Sequence, residues 1–580
     1  MNNLFRSFQR NAGVAPVLVF LLLAFFVPVA TILALAVWSP GGGVSIGSLA
    51  RIAGTPVYTS ILLRSLEISV WTTLLCLAGG LPIALLIHRL SGTTRSALYL
   101  MVLLPFWTSF LVKSFAWLVL LGKNGAVNAL LIALTGSPAS ASLLFNLDAV
   151  LVGMVHGLMP FAVLTILPVL ESIDPRLLPA AQSLGVRPVE AFVRVLLPLA
   201  IPGIAAAGLI VFVTAVGFFI VPALLGGPRQ TMVANIIIEM VQDLLNWPLA
   251  SAASLLMFAV VALLFGIYVR AFGIETLIGR ARVNQARPTA SALDTGHLHR
   301  SRLVWRAWDW VSIPAGRIPG IERFWQACAW IVVFALVLFL VLPALFLIPV
   351  SFSVSGIIDW PPQFFSWKWY AALDSPAWRG AAMRSATVAA ATGLLSLALA
   401  YPAAVWFVRQ ATRSRVPVLV LLIAPMIVPR IIIAIGLFYL FARLGLVGSW
   451  LGLVLGHTVI ALPFVLITMI AVVQAYDERL DQAAAVCGAG TFMRLRRVTL
   501  PLLAPGALSA FLFAFVTSLD ELTIALFVTG GLSSTLPKQM WDEALLRVSP
   551  TLAAASTMVF VFMSTAVLIA QALRNRRIAR

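Results

Sequence analysis

Long apolar stretches alternate with short polar segments along the whole chain. About twelve of these stretches are long enough to cross the hydrocarbon layer of a membrane, which takes roughly 20 residues of α-helix. Because no large polar region separates them, the pattern predicts an all-α membrane protein with about twelve transmembrane helices. The predicted helices lie near residues 15–38, 62–87, 97–121, 149–170, 204–226, 249–271, 326–350, 384–408, 416–441, 452–475, 507–529 and 551–573.

Composition supports this prediction, and the placement of charge orients it. Of the 580 residues, 61% are hydrophobic and 10% are charged, and the mean hydropathy is +1.03. The net charge is +19, and with the N-terminus inside, 27 of the 39 Lys and Arg residues fall on the cytoplasmic side against 8 outside. Cytoplasmic loops are enriched in Lys and Arg, so both termini are predicted to be cytoplasmic. The basic charge therefore reports topology in membrane lipid and does not indicate a nucleic-acid partner.

One short pattern occurs twice in the chain. Residues 179–185 read Pro-Ala-Ala-Gln-Ser-Leu-Gly, and a Leu-Pro pair follows, with Pro198 thirteen residues after the glycine. Residues 482–488 read Gln-Ala-Ala-Ala-Val-Cys-Gly, and Pro501 follows in a second Leu-Pro pair at the same distance. An offset of 303 relates the two copies. Both lie in polar loops between a predicted fourth and fifth helix of six.

A second offset extends the repeat toward the start of each half. An offset of 320 pairs Arg64-Ser65 with Arg384-Ser385 and Pro105 with Pro425. The matches indicate two homologous six-helix halves in the same orientation, a parallel repeat about an axis along the membrane normal. The predicted divisions are a first half at 1–272 with its loop at 171–203, a cytoplasmic linker at 273–325, and a second half at 326–580 with its loop at 476–506.

The doubled loop resembles the EAA loop of ABC importer permeases, in which short coupling helices dock on a separate ATPase subunit. The resemblance implies a type I importer permease in the bacterial inner membrane that is not itself an enzyme and binds no cofactor. Two partner subunits would bind ATP and use it with Mg, and an external solute-binding protein would deliver the solute. The positions implied to couple with the ATPase are Ala180, Ala181, Gly185, Leu197, Pro198, Ala483, Ala484, Gly488, Leu500 and Pro501.

Both loops depart from the family pattern at its first position, where Pro179 and Gln482 replace the usual Glu. Neither side chain carries a negative charge, so any ion pair that the family makes there is absent from both loops. The alanines still permit close approach of a partner, and Gly185 and Gly488 are predicted to end the two loop helices.

Beyond the loops, the chain is similar to spermidine/putrescine-type permeases. Residues 104–113 and 218–228 resemble the first permease subunit of that group, and residues 518–522, 527–530 and 535–537 resemble the second. The resemblance implies import of polyamine-like or other amine-bearing solutes by two fused subunits. Aminophosphonate and ferric iron stay open as alternative solutes. A secondary transporter is the competing class, and the absence of a P-loop motif does not separate the two, because a separate subunit would power a permease.

Adjacent carboxylates lie inside a predicted span at Asp520 and Glu521. Charges at this depth are costly without a cavity, a partner or a ligand. They form an anionic patch for an ammonium group on the solute pathway, or are neutralised by Lys113 or Arg430 in the third helix of each half, or do both. The sequence leaves both alternatives open. No metal site is predicted, because the three cysteines show no metal-ligand spacing.

Overall fold

The computed structural model describes residues 13–38, 43–136, 142–186, 188–273, 321–356, 360–362, 364–409, 415–530, 533–546 and 549–578. Within these ranges the regular structure is helical, and the β contacts are two isolated bridges. Most of the predicted linker, 273–325, lies outside the described residues, so its boundaries stay a prediction.

The first half runs through six predicted spans and several short helices. In chain order its helices are α1 (Ala15–Leu35, with a π-helical turn at Leu22–Phe26), α2 (Gly47–Gly54), α3 (Pro56–Arg89), α4 (Gly92–Trp107), α5 (Phe110–Leu120), α6 (Ala126–Thr135), α7 (Leu147–Ser172), α8 (Leu177–Ser183), α9 (Pro188–Ala191, followed by a π-helical turn at Phe192–Leu196), α10 (Leu197–Val216), α11 (Ile220–Leu225), α12 (Val233–Gln242) and α13 (Trp247–Phe272).

The second half repeats this order. Its helices are α14 (Ile321–Ser351), α15 (Lys368–Ala372), α16 (Pro376–Arg409), α17 (Arg415–Ile423, extended by a 3₁₀ turn at Ala424–Met426), α18 (Arg430–Leu444), α19 (Trp450–Gln474), α20 (Arg479–Val486), α21 (Thr491–Arg494, followed by a π-helical turn at Leu495–Thr499), α22 (Leu500–Leu519), α23 (Thr523–Val528), α24 (Leu536–Leu546) and α25 (Pro550–Ile578). Helices α3 and α16 begin at matching positions of the repeat, and so do α10 and α22, as the sequence offsets predicted.

Most of the predicted spans are single long helices. Among the described residues, nine helices are long and apolar enough to cross a membrane, and two bent pairs raise the number to eleven if each pair is one span. The last helix, α25, contributes a shorter apolar segment, Pro550–Ala566, within its described part. Each of the predicted stretches thus consists mainly of helix, which confirms the all-α membrane architecture.

Four of the predicted helices are broken, which the sequence did not predict. The third span of each half bends, by 95° between α4 and α5 and by 90° between α17 and α18. Pro105 and Pro425 precede the bends, and a proline removes one hydrogen bond from the helical ladder. The fifth spans stop at residues 217–219 and 520–522 and then resume as the short helices α11 and α23.

Hydrogen bonds confirm that the two halves are true structural repeats. The Ser65 hydroxyl accepts from the backbone N–H of Val233 at 2.9 Å, and Ser385 accepts from Leu536 at 2.7 Å. The offset of 320 relates Ser65 to Ser385, and the offset of 303 relates Val233 to Leu536. Asn146 and Ser449, which the offset of 303 also pairs, cap the N-termini of α7 and α19 through their side-chain oxygens. The same local chemistry therefore builds both halves.

The first helix of each half packs against the other half. Helix α1 contacts α18, and α14 contacts α4 and α5. His156 of α7 donates from Nε2 to the carbonyl of Leu340 in α14 at 3.0 Å, and Gln242 donates to the carbonyl of Leu526 at 3.0 Å. Since these contacts cross the boundary between the halves, a single interlocked core spans both of them.

Candidate functional site

The four helix breaks meet at one cavity between the halves. Residues beside every break line this space of about 520 Å³, including Phe110, Gly217, Pro429 and Asp520. Backbone that is not helical is tolerated at membrane depth only where protein buries it or where it lines a cavity. The breaks and the cavity are therefore parts of one arrangement, which we call the central cavity.

The wall of the central cavity is mainly apolar and aromatic. The Trp107 ring of the first half packs edge to face on Phe513 of the second, with centroids 5.1 Å apart. Charged side chains in the lining come from the second half, at Arg430, Asp520 and Glu521. The other aromatic rings in the lining belong to Tyr99, Phe106, Phe110, Phe161, Phe218, Phe219, Phe265 and Phe464.

The carboxylate of Glu521 is engaged by two contacts within the protein. Its side chain is 1% exposed, and Oε1 accepts from the backbone N–H of Ile524 at 3.1 Å, in the first turn of α23. Its Oε2 lies 3.4 Å from Nη1 of Arg430, whose side chain is 38% exposed toward the cavity. The predicted neutralisation by an internal cation thus occurs at Glu521, with Arg430 as the partner.

Lys113 is buried but does not form an ion pair. Its Nζ donates to the carbonyls of Pro105 and Gly157 at 3.1 and 3.5 Å and lies 4.1 Å above the centroid of the Phe110 ring. Among the described residues, no carboxylate oxygen lies within 4.0 Å of this nitrogen. The carbonyls and the ring face stabilise the ammonium, so Lys113 secures the bend between α4 and α5.

Asp520 differs from its neighbour. It lines the cavity, is half-buried, and interacts with Ser109, Lys113, Glu521 and Arg430. In the part of the chain that the structure describes, no basic nitrogen lies within 4.0 Å of its carboxylate. The sequence placed Asp520 and Glu521 together inside a helix, but they lie in the break between α22 and α23, where one is internally paired and the other faces the cavity.

The coupling loops 171–203 and 476–506 share one geometry. Helices α8 and α20 end at Gly185 and Gly488, whose φ values are +87° and +84°. The next backbone N–H closes each end, Val186 onto Ala181 at 3.1 Å and Ala489 onto Ala484 at 3.0 Å.

The remaining coupling positions are arranged alike in both loops. The Leu-Pro pairs begin α10 and α22, directly after the two π-helical turns. The first alanine of each Ala-Ala pair is exposed and the second is half-buried. Large apolar side chains are exposed beside both glycines, at Leu184 and Val486.

Sequence reasoning missed a polar anchor in the second coupling loop. Asp481, just before the substituted Gln482, accepts at Oδ1 from the hydroxyls of Thr499 at 2.9 Å and Tyr476 at 3.0 Å. Its Oδ2 lies 3.6 Å from Nη2 of Arg409 at the end of α16. The repeat places Leu178 and Leu196 at the positions of Asp481 and Thr499 in the first loop. The two loops therefore share a shape but are attached differently.

Comparison with known families identifies the architecture. A family model described as the binding-protein-dependent transport system inner membrane component matches residues 80–273 and, a second time, residues 394–580. The chain belongs to this family. Because the model matches twice, the protein is an ABC importer permease with two permease halves fused in one chain. A separate ATPase hydrolyses the ATP. The permease itself lies in the inner membrane and works with that ATPase and with a solute-binding protein.

Individual relatives resemble half of the permease at a time. The spermidine/putrescine transport system permease protein PotB of Haemophilus influenzae is 38% identical over 216 residues, which is 37% of this chain and 76% of that protein. PotC of the corresponding system in Escherichia coli is 32% identical over 240 residues, 41% of this chain and 90% of that protein. A crystal structure of a bacterial ABC transporter involved in alginate import is similar with a TM-score of 0.37 and 18% identity, covering 46% of this chain and 99% of that chain.

The glycine that ends α20 provides the first prediction. A Cβ at Gly488 meets no atom within 4 Å, so Gly488→Val acts only through its positive φ, at a cost of about 1–3 kcal/mol. We expect weaker co-purification of the ATPase and severalfold slower transport. Gly490→Val is the matched control, because Gly490 is equally open but has a φ of −64°. Equal effects of the two variants on both measurements would contradict a coupling role.

The anchor of the second loop provides another prediction. Asp481→Leu installs the residue of the first loop and removes the acceptor for Thr499 and Tyr476. We expect ATPase activity of the assembled complex to lose most of its stimulation by the solute-binding protein, because α20 would no longer be fixed to the π-helical turn that leads into α22. Asp481→Asn keeps an acceptor oxygen, so its stimulation should lie between that of the unmodified permease and that of Asp481→Leu. Full stimulation in Asp481→Leu would show that the anchor is dispensable.

Proposed function

We propose that the permease carries an amine-bearing solute of the polyamine class through the central cavity. Asp520 is the observation on which the proposal depends. Its carboxylate lines an aromatic cavity, and no basic nitrogen of the described chain lies within 4.0 Å of it. A carboxylate in such a place attracts a cation from the solute, since a charge in a low-dielectric site is stable only with a partner.

The rest of the lining suits the same solute. Trp107 and Phe218 offer ring surface in the same lining, and an ammonium over an aromatic face gains about 0.5–2 kcal/mol. The alkyl chain between amino groups would pack against the remaining apolar wall. The names of the PotB and PotC relatives, which are spermidine/putrescine permeases, support this solute class.

Movement of the solute would be driven from the coupling loops. One ATP-binding subunit would dock on each loop, so the complex would contain two, and these subunits would bind ATP and Mg. Both chain termini and both loops would then face the cytoplasm, in agreement with the excess of Lys and Arg there. Closure of the ATPase dimer would press on α8 and α20 and rock the halves between outward-open and inward-open states.

Arg430 favours a second candidate solute. Its guanidinium lines the central cavity, and guanidinium groups bind phosphonate and carboxylate oxygens in a bidentate way. An aminophosphonate would place its amine at Asp520 and its anion at Arg430. This candidate ranks second because the 3.4 Å contact with Glu521 already engages Arg430.

Substitution of the two carboxylates separates their roles. Asp520→Asn should lower uptake of the amine at least about tenfold while the complex assembles normally, because it removes the charge that faces the cavity. Glu521→Gln should mainly reduce assembly, because it weakens the contact with Arg430 and the N-terminus of α23. Uptake and co-purification of the ATPase are measured for both. Unchanged uptake by Asp520→Asn would contradict the proposed solute site.

The source of energy distinguishes an ABC importer from a secondary transporter. In proteoliposomes, uptake should require ATP, the ATPase and the solute-binding protein together. The control is the permease alone under a proton or sodium gradient, where no uptake is expected. Uptake in that control would contradict the proposed mechanism.

A further inference from the structure

The internal repeat allows the two walls of the central cavity to be compared position by position. Helices α5 and α18 begin at Phe110 and Arg430, which the offset of 320 pairs, and the offset of 303 pairs Phe218 with Glu521 at the breaks before α11 and α23. Phe110 and Phe218 pack edge to face with centroids 5.0 Å apart. Arg430 and Glu521 form the 3.4 Å ion pair. An aromatic pair and an ion pair therefore occupy the same place in the two halves.

The first half shows that the fold can form here without an ion pair when both members of the pair are replaced together. The first half joins the same two helix breaks with two rings, and apolar packing of similar shape commonly replaces a buried ion pair without loss of stability. The charges of Arg430 and Glu521 therefore have a reason beyond stability, and both residues line the cavity.

The same comparison isolates Asp520. Its counterpart in the first half is Gly217, where a Cβ would lie 3.0 Å from Cβ of Pro429, the counterpart of Ser109. The first half therefore contributes no carboxylate at this place. Lys113 donates to carbonyls, and Glu521 is engaged by Arg430. Of the charged groups in the lining, Asp520 is the one anion left for a solute.

We propose that Arg430 sets the charge class of the solute. By engaging Glu521 and placing a guanidinium in the wall, it limits the cavity to one ammonium group at a time. The cavity then favours amines with one positive charge, or with two well-separated charges, over amines with three. This inference rests on the proposed function, because it requires that the amine bind at Asp520.

Direct binding to the assembled complex of permease and ATPase tests the inference, with the solute-binding protein left out so that its own selectivity plays no part. The probes are butylamine, putrescine and spermidine, which carry one, two and three amino groups. The quantity measured is the affinity for spermidine relative to butylamine. A repulsive charge a few ångströms from a bound ammonium changes binding by about tenfold or more at protein dielectric values.

The variants change the summed charge of the pair in steps. Arg430→Gln can still hydrogen-bond to Glu521 and makes the pair negative, so the ratio should rise at least about tenfold. Glu521→Gln makes the pair positive, so the ratio should fall in the portion of this variant that assembles with the ATPase. The double variant Arg430→Phe/Glu521→Phe copies the pair of the first half and is neutral, so its ratio should lie within about threefold of the unmodified permease. If the Arg430–Glu521 pair were purely structural, the affinity ratio would not follow the charge of the pair in this order.

Arg443→Gln is the matched control, because it removes an arginine from the other end of α18, about 20 Å along the helix. It should leave the ratio unchanged. If Asp520→Asn abolishes amine binding but Arg430→Gln leaves the ratio unchanged, the charge-class inference is wrong and the proposed function stands. If Asp520→Asn leaves the binding of all three amines unchanged, both are wrong.

Discussion

Unpaired backbone groups at the four helix breaks impose the constraint on which the rest of the site depends. Lipid cannot satisfy them at membrane depth, so they must be buried in protein or line a cavity. Lys113 donates to the Pro105 carbonyl before the first bend, Asn235 donates to the Phe219 carbonyl at 3.1 Å, and Glu521 accepts from Ile524. These polar side chains hold the breaks open around a cavity. Asp520 stands apart, because its carboxylate faces that cavity.

The two halves share one fold, but among the described residues the charged side chains of the central cavity come from the second half alone. Matched capping residues and matched serine hydrogen bonds give the two halves the same backbone, while the positions that face the cavity differ in charge. The first half supplies rings, and the second half supplies the charged side chains of the lining. Fusion of the halves in one chain ensures that every molecule pairs one wall of each kind. A pathway between two identical halves would lack this division.

The coupling loops show the same relation between shared shape and different chemistry. Both helices end in a left-handed glycine and lead through a π-helical turn into the fifth span. The second loop is fixed by Asp481, Thr499 and Arg409, whereas leucines occupy the first two of these positions in the first loop. A movement imposed on the two loops is therefore transmitted through a polar contact on one side and through apolar packing on the other.

The sequence by itself determined the spans, the repeat and the ends of the loop helices, because these follow from local properties: apolar length, spacing, and the freedom of glycine at positive φ. It also marked Asp520, Glu521, Lys113 and Arg430 as exceptional, since charges are costly in a span. Only the tertiary structure decided that Arg430 engages Glu521, that Lys113 binds carbonyls and that Asp520 faces the cavity. Those outcomes depend on where helices distant in sequence break and meet. The anchor at Asp481 was hidden for the same reason, because Thr499 and Arg409 approach it only when three helices pack together.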